Sequence, residues 1–396
     1  MKMNNYKVLF SLRVLKSILS SFVDSFLILY FLDVSASNIL PLGIYKLVAV
    51  AGVFGVIFFA RNYCKSKHRV NLISIWMILN FVYFLALILL RENVVNYIYV
   101  VGLLYGLEEG FYYSVYNNIE SDAISNKDRA KFTGVYTSVK SILSIIFPLI
   151  FGALIYAAGF INSLIIVLVI VAIQIIFSFH INDRNIPESN KTDLKKFNEI
   201  VKENKAIKQV YKNRFLSGLT YSEGAFSYIV TIYIIKVFSD SVSLGIFTSI
   251  FSLISCILGF LFARCIKQKH YNNVIKVSMV FTIISLCTMI YNCNFTTIVL
   301  FNLCQTFSKG LMDLINNNSA SNTSNLEIVK KEFKVEYWLG IEGSLFFGRV
   351  ISNTLFILMA FTGADIMIYI FVVFLIIYTG NSVKLQNVIK EKQSWE

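Results

Sequence analysis

Val94 to Glu120 reads VVNYIYVVGLLYGLEEGFYYSVYNNIE, a stretch apolar enough to cross a bilayer that nevertheless carries Glu108 and Glu109 near its middle. A carboxylate at the centre of a lipid-facing helix costs roughly 2.5 to 3.5 kcal/mol on insertion scales, so an acid retained there faces a polar cavity or a partner. At 3.6 residues per turn, Tyr105, Glu109, Tyr112, Tyr113 and Tyr116 fall on one broad face. We read that face as the wall of a solute pathway. The plainer alternative is a glutamate buried against a structural lysine.

The rest of the chain agrees that the solvent is lipid. Its 396 residues are 56% hydrophobic and 15% charged with 3 prolines, too apolar for a soluble domain of this length. The formal charge of +13 fits lysines and arginines held on the cytoplasmic side of a membrane better than nucleic-acid binding. Six cysteines, Cys64, Cys256, Cys265, Cys287, Cys293 and Cys304, form no CxxC or metal spacing and read as reduced packing residues. The opening MKMNNYKVLF resembles a signal peptide, but the apolar region runs past Tyr30 without a small-residue cleavage pattern, and we take it as the first spanning helix.

Crossing about 30 Å of hydrocarbon at 1.5 Å per residue takes about 20 apolar residues. Twelve such segments emerge: 9–32, 38–60, 71–90, 95–118, 134–157, 161–180, 214–237, 243–263, 273–291, 296–316, 335–360 and 364–383. The tenth is the most polar. With both termini inside, the cytoplasmic connections hold Arg61, Lys65, Lys67 and Arg69, then Lys127, Arg129 and Lys131, then the group from Arg184 to Arg214, then Arg264, Lys267 and Lys269, then Lys330, Lys331 and Lys334. Only Arg91 and Lys236 fall outside. This asymmetry predicts a multi-pass protein of the cell membrane with both ends cytoplasmic.

Between Asn182 and Lys212 lies a polar, charge-rich connector. Leu194 to Val210 places Leu194, Phe197, Ile200, Val201, Ile207 and Val210 on half of a helical wheel, predicting a weakly amphipathic helix along the inner surface. Its lysines alternate with acids and lack interleaved aromatics, which argues against nucleic acid. The segments on either side echo each other. Leu42-Gly43-Ile44 with Phe59-Ala60-Arg61 recurs as Leu244-Gly245-Ile246 with Phe262-Ala263-Arg264, about 202 residues on; Gly110 with Asn117-Asn118 recurs as Gly310 with Asn317-Asn318, and Lys131-Phe132 with Tyr136 is echoed by Phe333 with Tyr337. Matches in the same order predict an all-α polytopic protein of two pseudo-twofold-related six-helix halves, 1–181 and 213–396, joined by a cytoplasmic linker at 182–212.

Two six-helix halves, a central loop and a basic loop repeated after helices 2 and 8 resemble the major facilitator superfamily, over the whole chain. In that family the loop after helix 2 reads G-x-x-x-D-R-x-G-R-x-R/K-R; here Ala60 to Leu72, ARNYCKSKHRVNL, keeps the basic character without the glycine and the aspartate. The resemblance implies gate loops at Arg61, Lys65 and Arg69 and at Arg264 and Lys267. The helix-5 exporter signature G-x8-G-x3-G-P-x2-G-G is met by Gly134, Pro148 and Gly152, with Leu143, Phe147 and Phe151 in place of other glycines. That likeness to drug/proton antiporters tilts the reading toward export.

The intramembrane charges point the same way. Segments 3, 6 and 9 have uncharged cores and segment 12 has only Asp365 at its outer end, so these helices can face lipid all round. Asp24, Lys46, Glu108, Glu109, Lys140, Glu223, Lys309, Asp313, Glu342 and Arg349 sit on the others. The repeat sets Lys309 opposite Glu109 and Lys140 near the position opposite Glu342, so each pair could bridge the halves or merely hold them together. Arg13, Lys16 and Lys46 lie nearer helix ends, where snorkelling accounts for them. Asp24 and Glu223 are near pseudo-equivalence on helices 1 and 7; Asp24 is either a proton carrier or a partner of the Ser21 or Ser25 hydroxyl.

No G-x-S-x-G, H-E-x-x-H or P-loop is present, and His68, His180 and His270 all fall at cytoplasmic ends, so the chain reads as no enzyme and no primary pump. The expectation is a monomeric secondary transporter of a small solute, proton-coupled, using alternating access and needing no cofactor or metal. The tyrosines of helix 4 suit a partly apolar, even cationic, molecule. A receptor or scaffold that kept the fold without transporting, and a proton-coupled importer of a small metabolite, are the alternatives.

Overall fold

The computed structural model describes residues 5–63, 69–116, 126–181, 192–221, 224–265, 270–324, 326, 329, 332–363 and 368–393. Among them there is helix and no strand. Helix α1 (Asn5–Phe22) continues through a π-helical turn (Val23–Leu27) into α2 (Ile28–Val34). Then come α3 (Leu40–Ala60), α4 (Arg69–Leu90), a 3₁₀ turn (Arg91–Tyr97), α5 (Ile98–Phe111) and a second π turn (Tyr112–Tyr116). After α6 (Asn126–Ala158) and α7 (Phe160–Ser178), the connector supplies α8 (Leu194–Glu203) and α9 (Lys205–Leu219). The remaining helices are α10 (Ala225–Val237), α11 (Ser241–Cys265), α12 (Tyr271–Tyr291), α13 (Phe295–Ser324), α14 (Lys334–Thr362) and α15 (Ile368–Gln393).

Among the described residues, 9 stretches are long and apolar enough to cross a membrane, and one of them, Asn71–Ser114, is 44 residues long. Continuous helix of that length would rise about 66 Å, twice a bilayer core. The chain reverses instead at the 3₁₀ turn, where Arg91 takes a left-handed φ of 47°. Gly159, at φ 81°, makes the corresponding corner between α6 and α7, a conformation that costs glycine nothing. Outside the spans, Asp240 caps α11: Ser243 donates its N–H to Oδ1 at 2.8 Å, and the hydrogen bonds of Ser243, side chain first and backbone second, hold this carboxyl below the usual range.

The chain groups into two compact units, Met1–Lys191 with Phe238–Ser252, and Thr192–Val237 with Leu253–Glu396. In the first, α3 and α5 make the tightest seam. Gly102, Gly106 and Gly110 recur every four residues on one face of α5, and a Cβ on Gly106 would lie 2.2 Å from the Ala49 carbonyl oxygen, one on Gly102 2.7 Å from that of Tyr45. Only hydrogen fits there, so two backbones meet where side chains would otherwise hold them apart. The opening of α11 belongs to the same unit and crosses α6 in a second close approach: Ser241 Oγ donates to the Gly152 carbonyl at 3.0 Å, and a Cβ on Gly245 would meet the Pro148 carbonyl at 2.5 Å. Pro148 and Gly152 of the helix-5 signature are thus the residues of a helix crossing.

In the second unit, α8 does not run on into α9. Asn204 has extended backbone and its Oδ1 accepts from Ala206 N at 3.0 Å and Ile207 N at 3.3 Å, so the single helix expected over 194–210 is two helices with a cap between them. The apolar side of α8 is docked on protein: Phe197 is buried and stacks on Phe333 with ring centroids 5.6 Å apart, inside a core that includes Ile207, Val210, Tyr337 and Leu385. Segment 7 is also discontinuous. Helix α9 ends at Leu219 and α10 starts at Ala225, whose N–H donates to the buried Ser352 Oγ at 2.7 Å.

Helices α4, α7 and α12 do not face lipid all round. Each buries one stripe: Trp76, Met77, Asn80, Tyr83, Phe84 and Leu87 on α4; Leu164, Val167, Val171 and Gln174 on α7; Ile275, Met279, Thr282 and Leu286 on α12. Uncharged does not mean unpartnered, because Asn80 Nδ2 donates to Gln174 Oε1 at 3.1 Å across α4 and α7, a bond that apolar surroundings favour keeping.

Candidate functional site

The site begins with the two acids of α5. Glu108 and Glu109 lie between the close contacts that Gly106 and Gly110 make with α3. Both reach one ammonium. Lys16 Nζ of α1 lies 2.6 Å from Glu108 Oε1 and 2.7 Å from Glu109 Oε1. All three residues are buried, at 6%, 1% and 7% exposure. Trp76 of α4 completes the arrangement by donating Nε1–H to the same Glu108 oxygen at 2.7 Å. Charge-assisted bonds of this length are strong, and within a span there is no water to replace them.

Aromatic rings wall the cluster. Tyr112 lies against Trp76 with centroids 5.0 Å apart, and Lys16 Nζ is 5.4 Å from the Tyr112 ring centre. One turn earlier on α1, the Arg13 guanidinium lies 3.9 Å from the centre of the Tyr136 ring, while Ser17 Oγ and Tyr136 Oη are 2.8 Å apart. On the other side, Tyr105 stacks on Tyr45 at 5.7 Å and meets Tyr83 at 5.3 Å, and the Tyr45 and Tyr83 hydroxyls are 2.9 Å apart. Lys46 Nζ sits 5.5 Å from the Tyr45 ring centre and 5.7 Å from that of Tyr105. The result is a buried ion cluster flanked by a tyrosine box.

Several expectations change here. Lys16 does not snorkel; it is the central cation of the first unit. Tyr105 and Tyr112, seven residues apart on α5 and its π turn, meet Tyr83 and Trp76, seven residues apart on α4. Tyr105 joins the tyrosine box, Tyr112 packs on Trp76, Tyr113 is exposed at 37%, and the side chain of Tyr116 lies outside the described residues. Asp24, read as a proton carrier or a partner of Ser21 or Ser25, is exposed on the π turn Val23–Leu27, whose Val23, Ser25, Phe26 and Leu27 are buried. Lys140 is exposed.

In the second unit, Glu342 and Arg349 share α14 two turns apart, with Arg349 Nη1 3.9 Å from Glu342 Oε2. Lys309 is half-buried and Asp313 exposed on α13. Of the gate-loop residues, Arg61 donates to the Phe58 carbonyl and covers the Phe58 ring at 4.1 Å. Lys65, Lys267 and Glu223 lie outside the described residues, as do Asp365 and the side chains of Arg69 and Arg264.

Sequence reading missed Lys16 and Trp76 as site residues. The available signal was that adjacent glutamates in one span demand a cation, and Lys16 is the basic residue that α1 carries deepest. Trp76 gave none, since a tryptophan in an uncharged span reads as core.

A model of the major facilitator superfamily matches residues 17–327. No curated protein sequence matches the chain. Among solved structures, a bacterial homologue of the iron transporter ferroportin in its inward-facing state superposes with a TM-score of 0.68 at 13% identity, covering 96% of this chain and 98% of that one. The nucleoside transporter NupG gives 0.67 at 15%, covering 98% and 100%. A bacterial homologue of the human lysosomal transporter Spinster, inward-facing and unoccupied, gives 0.64 at 13%, covering 99% and 98%. At these identities the structures speak for the fold, and the family match speaks for descent: a helical multi-pass membrane protein, a transporter rather than an enzyme, this chain belongs to the major facilitator superfamily.

Proposed function

We propose that this transporter is a proton-coupled secondary carrier of a small solute, working by alternating access, with export favoured over uptake. The observation that carries the proposal is the sharing of one buried ammonium, Lys16 Nζ, by two buried carboxylates, at 2.6 and 2.7 Å. Two buried carboxylates on one ammonium make a cluster whose proton affinity depends on every group that faces it, and a change of burial or partner between states changes that affinity. A proton delivered to the cluster in one state and released in the other supplies the differential that shifts the equilibrium between states, about 1.4 kcal/mol for each unit by which proton affinity differs. Export is supported by Gly134, Pro148 and Gly152 of helix 5.

The experiment is solute flux in proteoliposomes with and without an imposed pH gradient. The wild type is expected to concentrate its solute only with the gradient, and Glu109→Gln to exchange solute down its own gradient without concentrating it. Retained pH-driven accumulation in Glu109→Gln would make the cluster structural and pass the role to Asp24 or Glu223. Tight binding of a solute with no flux in the wild type would instead establish the receptor.

A further inference from the structure

The connector carries a cationic surface separate from the ion cluster of α1 and α5. Lys205, Lys208 and Lys212 follow one another at i, i+3 and i+7 on α9, the spacing of a single helix face, and all three are exposed. The opposite face, Ala206, Ile207, Gln209, Val210 and Asn213, is buried. It is also bolted down: Gln209 Nε2 donates to Asn381 Oδ1 at 2.9 Å and Asn213 Nδ2 to Ser382 Oγ at 2.9 Å, both on α15. The cap at Asn204 fixes where the helix begins. The three ammonium groups are therefore borne on a helix that cannot roll to hide them.

Helix α9 has no acid anywhere in its sequence, KAIKQVYKNRFLSGL; Glu199 and Glu203 belong to α8, across the break. Segment 7 begins at Arg214, two residues after Lys212. Seven residues of helix rise about 10 Å, the same order as a bilayer's headgroup layer, about 5 to 8 Å on each side of the core. The lysine stripe adjoins the polar end of that segment. Lys202 of α8, also exposed, extends it away from the membrane.

We propose that Lys205, Lys208 and Lys212 form a binding surface for the phosphate headgroups of anionic phospholipid. Phosphate oxygens accept from ammonium groups, and the aliphatic stems can lie along the acyl-chain boundary. The proposal is independent of proton coupling and of the direction of transport.

The test is native mass spectrometry of the full chain in detergent with equimolar phosphatidylglycerol and phosphatidylcholine. The wild type should retain phosphatidylglycerol preferentially, by about fivefold for each lysine engaged. The variant K205Q/K208Q/K212Q should lose that preference while keeping its melting temperature, and K205R/K208R/K212R should keep it. If the triple glutamine variant does not fold, each single glutamine variant should still lower the preference about fivefold. Equal retention of both lipids by the wild type, or preference surviving in the glutamine variants, would overturn the proposal. So would displacement of the lipid by millimolar glycerol 3-phosphate, which would reassign the stripe to soluble anions.

Discussion

Replacing Lys16 by methionine leaves Glu108 and Glu109 buried side by side without the ammonium both contact, and the expected cost is about 3 to 5 kcal/mol. Adding Glu109→Gln removes one of the two acids that faced the ammonium, so the double variant should be more stable than Lys16→Met alone, as read by thermal unfolding in detergent. Strictly additive losses would show that the two side chains do not interact. Within the first unit Glu109 meets Lys16; its pairing with Lys309 across the halves, which the internal repeat suggests, is a separate expectation. The repeat ranks residues by depth along the chain, and depth says nothing of azimuth. The acids were legible because two carboxylates in an apolar run are costly wherever they point. Lys16 was not, because its role depends on how α1 is rotated against α5, and within α1 alone a lysine near the end of a span has the cheaper option of snorkelling.

At the scale of helices, α5 meets α3 through its glycines and, within the same turns, carries the two acids that reach α1 and α4. Gly106→Ala places a Cβ 2.2 Å from a backbone oxygen of α3, and the helices must separate to admit it. We expect a loss of about 1 to 3 kcal/mol, and disturbance of the adjoining ion cluster. Gly55→Ala on α3 is the control, since a Cβ there meets nothing within 4 Å; it should be neutral or stabilising by up to about 1 kcal/mol. If both changes destabilise equally, loss of glycine flexibility rather than the seam is responsible. The positions of the helices were legible from apolar run length. The π turns at Val23–Leu27 and Tyr112–Tyr116 and the break before Ala225 were not, the last because a neighbouring helix supplies what the local backbone gives up: Ser352 Oγ takes the N–H that α10 leaves open.

For the whole molecule, the bias of lysine and arginine predicts orientation. In a variant whose native cysteines are replaced, a cysteine placed at Lys195 should react with a membrane-impermeant maleimide only from the cytoplasmic side. Labelling from outside would invert every connection at once. The docking of α8 bears on how the halves are joined. Ile181 is part of the core that Val8, Leu9 and Trp76 build in the first unit, whereas the Asp193 N–H donates to Glu336 Oε1 of the second at 3.0 Å. The strap between these anchorages is therefore residues 182–192, at full stretch no more than about 40 Å. Because residues 238–252, which follow that segment in the chain, pack with the first unit, a backbone cut within 182–191 should leave two fragments that transport only when expressed together.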